Sequence, residues 1–170
     1  MNNFAFQNTL LFFILIIAQV TLFNNIDFLG YINPYIYILF IAYFPVKKDN
    51  RPLFIFLSFL IGLCIDFFAD SGGVNAAASL TIAYIRPLFL RSTFGNAYDY
   101  QTLKVSQTPF AQQTVYLAFL ILIHHLILFS LEIFSYVHIL LILKKTLSSG
   151  IFTLVLSLLL VSLFNTKKNK

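Results

Sequence analysis

Apolar runs close to the ~20 residues that cross a ~30 Å hydrocarbon core recur along this chain, separated by short polar or Gly- and Pro-containing stretches. The pattern predicts six membrane-spanning helices over residues 6–23, 31–46, 52–70, 73–90, 112–134 and 142–164. Helix follows from the solvent, because in lipid every backbone N–H and C=O has to be satisfied within its own segment or in a closed barrel. The alternating polarity of barrel strands is absent. The expectation is an all-α integral membrane protein, one domain, with its helices in one bundle. The second run, "YINPYIYILFIAYFPV", is short and bounded by Pro34 and Pro45. A tilted crossing, local bilayer thinning, a hairpin with the first span, a count of five spans and a re-entrant variant all stay open for it. The first span has no basic n-region and no A-x-A site before Asn24 and Asn25, so it is expected to remain as an anchor rather than be removed as a signal peptide.

Composition agrees with a lipid solvent: the 170 residues are 59% hydrophobic, 18% aromatic and 10% charged, against roughly 25% charged in soluble domains. Mean hydropathy is +0.87. Charge then sets orientation. Lys47, Lys48 and Arg51 follow the second span, Arg86, Arg91 and Lys104 follow the fourth, and Lys167, Lys168 and Lys170 end the chain. All three clusters share one side if both termini are cytoplasmic, N-in and C-in. Lys144 and Lys145, before the sixth span, are the exception and are expected to snorkel to the boundary. The formal charge of +5 therefore reads as topology and attraction to anionic membrane lipids. No Lys/Arg stripe with interleaved aromatics points to nucleic acid. Cys64, alone in the sequence and within the third span, reads as a buried, inert thiol. The segment 86–113, with Phe89, Phe94, Tyr98 and Tyr100, reads as an interfacial belt or a docking site for a cytoplasmic partner.

The stretch "GLCIDFFADSGGVNAAASLTIAY", residues 62–84, places Asp66 and Asp70 four residues apart. With Pro52 in the first turn of its helix, Asp66 lies about 21 Å further on and Asp70 about 27 Å. Asp66 is expected at membrane depth and Asp70 near the outer boundary. Ser58, Gly62, Asp66 and Asp70 recur every fourth residue and share one stripe. A carboxylate in lipid costs at least ~2.5 kcal/mol on insertion scales, so the stripe belongs against another helix. Gly73, Ala76, Ala77, Ser79 and Ala83 give the fourth span a matching small-residue face, and "DSGGVN" supplies a tight turn. Spans three and four should form a close antiparallel hairpin. Asp66 keeps two readings: a carboxyl that fixes helix register, bonded to Asn75 or Ser79, or a substrate or proton site. Asp70 reads as a solvated boundary residue or a turn cap.

An aspartyl intramembrane protease needs two carboxyls facing each other from different helices, whereas both lie here on one. A serine protease built from Ser71 with His124 or His125 has no supporting spacing. No enzymatic activity and no cofactor are expected. In "LILIHHLILFSLEIF", His124 lies about 15 Å into the fifth span from Thr114, and His125 and Glu132 are nearly in line on the helix. Adjacent His side chains diverge by about 100°, and no further cluster completes a tetrahedral set. Histidines hydrogen-bonded inside the bundle, with Asp66 a candidate partner, are expected, with no metal. His138 reads as a loop residue.

These residues carry a resemblance. "GLCIDFFADSGGVNAAASLTIAYIRP" resembles the signature of the MreD family of rod shape-determining membrane proteins: a Gly-Leu-x-x-Asp run, a Gly-containing turn, then a small-residue helix ending in Ala-Tyr. Gly62, Leu63, Asp66, Gly73, Ala76, Ala83 and Tyr84 match it, while "YIRPLFL" and the "HH" before "LFSLEIF" resemble the Bacteroidetes-like branch. Asn75 stands where the family often has His. The resemblance implies a bundle similar to the substrate-binding subunits of energy-coupling-factor transporters, in the bacterial inner membrane. It also implies a non-enzymatic subunit of the cell-wall elongation complex that binds MreC and works with MreB, a RodA-type glycosyltransferase and a class B penicillin-binding protein. The partner-binding or structural set is then Gly62, Leu63, Asp66, Asp70, Gly73, Asn75, Ala76, Tyr84 and Arg86, beside the bundle polar residues His124, His125 and Glu132. In this reading the hairpin of spans three and four shapes a groove for MreC's transmembrane helix or juxtamembrane segment. The alternative from another class is a transporter subunit that binds a vitamin-like or lipid small molecule through Asp66, His124 and His125. No filter sequence supports a channel.

Overall fold

The computed structural model describes residues 3–28, 30, 32–45, 50–95 and 105–166. Six α-helices lie among them: α1 (Asn3–Thr21), α2 (Ile38–Tyr43), α3 (Arg51–Ala69), α4 (Val74–Phe94), α5 (Phe110–Ile133) and α6 (Ile139–Thr166). Single 3₁₀ turns occupy Phe23–Asn25, Val105–Gln107 and Tyr136–His138. Among the described residues extended pairing is confined to one isolated bridge, Phe28 with Ile32. Four segments are long and apolar enough to cross a membrane: Phe6–Asn25, Arg51–Ala69, Phe110–Ile133 and Ile139–Leu163. The chain is an all-helical, membrane-embedded protein.

The remaining two helices depart from that description for different reasons. α4 has 21 residues, about 32 Å, but Asn75, Ser79, Arg86 and Arg91 lower its hydropathy. Asn75, Ser79 and Arg86 are sheltered because α4 packs between α3 and α5, whereas Arg91 is exposed. α2 is helical over six residues only, about 9 Å, so the helix expected over residues 31–46 is not formed. Pro34 restricts Asn33 to extended conformations and offers no N–H to a helix. At the other end Phe44 turns extended (ψ 125°) ahead of Pro45.

Backbone without helical hydrogen bonds is tolerated at membrane depth only where protein buries and satisfies it. The approach to α2 meets this condition through its neighbours. The Gln19 side chain of α1 accepts from the Ile36 N–H (2.8 Å) and donates to the Pro34 carbonyl (2.9 Å). From α6, the Thr153 hydroxyl accepts the Tyr35 N–H at 3.1 Å. Gln19 and Thr153 are both fully buried. Around them Tyr37, Phe40, Phe54, Ile61, Ile82, Leu117 and Leu120 fill the interior. Leu147, Ile151, Val155, Leu159 and Leu163 of α6 point outward, the surface a lipid-facing helix presents.

Several helix ends also move from their expected places. Gly95 (φ 56°, ψ −135°) ends α4 beyond residue 90, so Arg91 lies within the helix together with Arg86 rather than in a following loop. α5 begins after Pro109, and α6 begins three residues early, at Ile139. Asp70 in the left-handed region (φ 49°) ends α3, its N–H donating to the Asp66 carbonyl, so its role is that of a turn cap. Lys47, Lys48, Tyr98, Tyr100, Lys104, Lys167, Lys168 and Lys170 lie outside the described residues.

The expected hairpin of spans three and four is α3 packed on α4, and Gly62 sets its spacing. A Cβ there would sit 2.6 Å from the Asn75 carbonyl oxygen and 2.7 Å from the Ala76 Cα, both backbone atoms that have nowhere to go. Ser58 and Asp66, one turn either side, are buried with it, and Ala76 and Ala83 face them as small residues. Gly62→Ala is expected to cost about 1–3 kcal/mol through overpacking. At Gly150 the nearest atom to an added Cβ is the Ile121 Cγ2 at 3.8 Å, so Gly150→Ala should be neutral or stabilising by about 0.5–1 kcal/mol. Thermal melting of both variants in one detergent measures the contrast; equal melting temperatures would contradict it.

Candidate functional site

Asp66 lies in the last turn of α3, where its carboxylate meets the first turn of α4. Oδ1 accepts the Asn75 N–H at 3.0 Å and Oδ2 the Ala76 N–H at 2.8 Å. Those are the second and third residues of α4, so a side chain from one helix caps the N-terminus of the next. Oδ1 also accepts the Asn75 amide (3.0 Å) and the Ser71 hydroxyl (2.5 Å). Gly73, in the left-handed region (φ 92°), turns the chain to make this possible. The helix dipole adds an attraction for the negative group. Asp66 is 5% exposed, and the α4 terminus does for it what water would do elsewhere.

Arg86 makes the converse arrangement at the other end of the bundle. Expected in a basic loop, it is instead inside α4 and 4% exposed. Its Nη1 donates to the Phe44 carbonyl (2.7 Å), Nη2 to the Ala42 carbonyl (2.9 Å) and Nε to the Tyr116 hydroxyl (2.8 Å). The first two are carbonyls at the C-terminal end of α2, the negative end of its dipole. Tyr116 itself donates to the Ala42 carbonyl at 3.1 Å, and the guanidinium carbon lies 5.1 Å from the Phe54 ring centroid. A planar fork of five donors suits this set of acceptors; a single ammonium does not.

Between the two charges runs a buried polar chain. The Tyr37 hydroxyl donates to Asn75 Oδ1 at 3.0 Å and lies 2.7 Å from His124 Nε2. Because that hydroxyl is already donating, Nε2 carries the proton and donates to it. Asn75 then passes the connection to Asp66 and to the Ser71 hydroxyl (3.1 Å). α5, the approach to α2, α4 and α3 are joined in sequence. His125 belongs to a second branch: Nδ1 donates to the Ile121 carbonyl (2.8 Å) and Nε2 accepts from Thr153 (3.1 Å). Tyr35 packs edge-on against His125 with ring centroids 5.1 Å apart.

Where the Asp66 end of the bundle opens, Asn24, Asn33, Tyr35, Ser71, Asn75 and Glu132 line a vestibule of about 380 Å³, with Val20, Ile65, Phe68 and Leu128 as its apolar wall. This volume is within the range of small-ligand sites. Donors and acceptors of amide and hydroxyl type dominate the rim, so an uncharged hydrogen-bonding group or an extended peptide fits its chemistry.

The structure therefore brings Gly62, Asp66, Gly73, Asn75 and Ala76 together at the α3–α4 junction and sets the others apart. Leu63 and Tyr84 are 42% and 65% exposed on the outer face of the hairpin. Glu132 does not join His125; it pairs with Lys145 at 2.9 Å, partly exposed. Neither histidine bonds Asp66 directly, because Tyr37 and Asn75 stand between them, and Ser79 takes no part in the carboxylate's bonds. His138 sits in a 3₁₀ turn beside Ser135 (3.2 Å). Among the described residues no group of three or more His, Cys, Asp or Glu side chains could hold a metal ion. Sequence reasoning passed over Gln19, Tyr37, Tyr116 and Thr153. Gln19 and Thr153 are polar interruptions in long apolar runs, which was the available signal.

No family model, curated protein or solved structure matches the chain.

Removing either capping group leaves buried partners unsatisfied, each worth about 1–3 kcal/mol. Asp66→Leu strands two α4 amides and is expected to destabilise more than Asp66→Asn, which keeps one acceptor. Arg86→Lys retains charge but cannot reach its three acceptors together, and is expected to lose about 2–3 kcal/mol. Thermal unfolding in detergent ranks them; an Arg86→Lys variant as stable as wild type would remove the fork geometry as the reason for arginine.

Proposed function

We propose that this chain is a non-enzymatic, multi-pass subunit of the bacterial cell-wall elongation complex, of MreD type, which binds MreC in the inner membrane. What supports the reading is the fate of the resembling motif. Gly62, Asp66, Gly73 and Ala76, which carry the resemblance, lie where α3 locks onto α4, and Asn75, which departs from it, links Asp66 to the vestibule that Asn75 lines. Their chemistry is spent on capping and close approach, as a scaffold requires. With both termini cytoplasmic, the vestibule opens outward and the juxtamembrane segment of MreC is its occupant. The bundle crosses with α1, α3, α4, α5, α6 and the composite of extended chain and α2, in the manner of energy-coupling-factor substrate-binding subunits. MreB, a RodA-type glycosyltransferase and a class B penicillin-binding protein join through MreC.

A second reading is favoured by one observation, the vestibule's size and polar rim: a transporter subunit holding a small molecule there. A mild-detergent pull-down, with mass spectrometry of bound proteins and small molecules, separates the two. The expected outcome is recovery of MreC, with a photo-crosslinker at Phe68 joining the vestibule to it and loss of both signals in Asp66→Leu. Normal rod shape and full MreC recovery with Asp66→Leu would defeat the scaffold reading, and a stoichiometric small molecule without MreC would favour the transporter.

A further inference from the structure

At the end of the bundle opposite the vestibule, the outer faces of α3 and α4 leave a shallow groove of about 840 Å³ lined by Arg51, Pro52, Ile55, Phe56, Phe59 and Leu80. Positions 52, 55, 56 and 59 follow the one-face spacing of a helix, so the groove runs two turns down α3, about 11 Å from the helix end toward the membrane interior. Phe56 is 58% exposed and Leu80 38%. α3 is among the helices apolar enough to cross a membrane, so this apolar surface faces acyl chains rather than water.

Its mouth has the opposite character. The Arg51 guanidinium is exposed and lies 5.9 Å from the centroid of the Tyr84 ring, itself 65% exposed. Among the described residues it has no carboxylate partner. The described acidic side chains, Asp27, Asp66, Asp70 and Glu132, belong to the vestibule end or its loops. The positive end of the α3 dipole collects at the same mouth, and Lys47, Lys48 and Asp49 precede it in sequence, a net positive stretch.

We propose that this groove is a binding site for one anionic phospholipid, its phosphate on Arg51 and one acyl chain along Ile55, Phe56, Phe59 and Leu80. Charge complementarity selects the headgroup, because the guanidinium has an unused planar donor edge at the depth where a phosphate sits. The apolar channel below it selects a lipid over a free anion. Tyr84 supplies the interfacial aromatic that holds the guanidinium at headgroup level. The site is separate from the vestibule, and nothing in it depends on which partner the vestibule receives.

The test uses the full-length protein, delipidated in detergent and titrated with phosphatidylglycerol or phosphatidylcholine of identical acyl chains, read by native mass spectrometry. Wild type is expected to retain phosphatidylglycerol preferentially, and Arg51→Gln to weaken that binding about fivefold, to the level of phosphatidylcholine. Leu80→Trp, which fills the groove, should reduce retention of both lipids. Arg91→Gln, an exposed cation of α4 that does not line the groove, should leave the preference intact. Equal retention of the two lipids by wild type would overturn the proposal, as would an undiminished preference in Arg51→Gln or a preference lost in Arg91→Gln instead.

Discussion

A charge buried in a low-dielectric medium has to be met by something, and in this molecule helix ends meet it. The α4 N-terminus receives the Asp66 carboxylate and the α2 C-terminus receives the Arg86 guanidinium. Each contact satisfies two needs at once, since the terminus has orphan N–H or C=O groups of its own. The two charges never meet each other. Each instead fixes a junction between elements: Asp66 joins α3 to α4, while Arg86 ties α2 to α4 and, through Tyr116, to α5. The remaining packing follows from these two fixed points, including the backbone contact at Gly62.

The interior between them holds buried polar side chains as well as apolar ones. Tyr37 hydrogen-bonds Asn75 and His124, and a separate branch joins His125 to Thr153, so that four elements contribute to the two sets. Directed bonds of this kind favour one arrangement of the helices in a way that Leu and Ile contacts cannot. Such networks fix geometry, and the vestibule wall inherits its shape from that geometry.

Much of this was legible in the sequence, and the illegible part has physical causes. The apolar period located α1, α3, α5 and α6, and the matching small-residue faces located the α3–α4 hairpin. A carboxylate that had to face another helix left Asn75 and Ser79 open as its partner, and the α4 N-terminus takes it to Asn75. Arg86 was misread because loop arginines and buried arginines look alike until the acceptors are known. Its acceptors are carbonyls of Ala42 and Phe44, which no side-chain pattern reveals. The second segment failed as a full helix because Pro34 broke it and because partners far away in the chain, Gln19 and Thr153, made the broken form affordable. Glu132 and His125 align on α5, but α6 offers each a nearer partner.

The extended approach to α2 is stitched on one side to α1 and on the other to α6. During synthesis, Gln19 emerges before it and Thr153 more than a hundred residues later. Until α6 arrives, the Tyr35 amide has to be satisfied by water or by the insertion machinery. Insertion of the early helices and closure of the bundle are therefore separate events, and closure waits until α6 has left the ribosome.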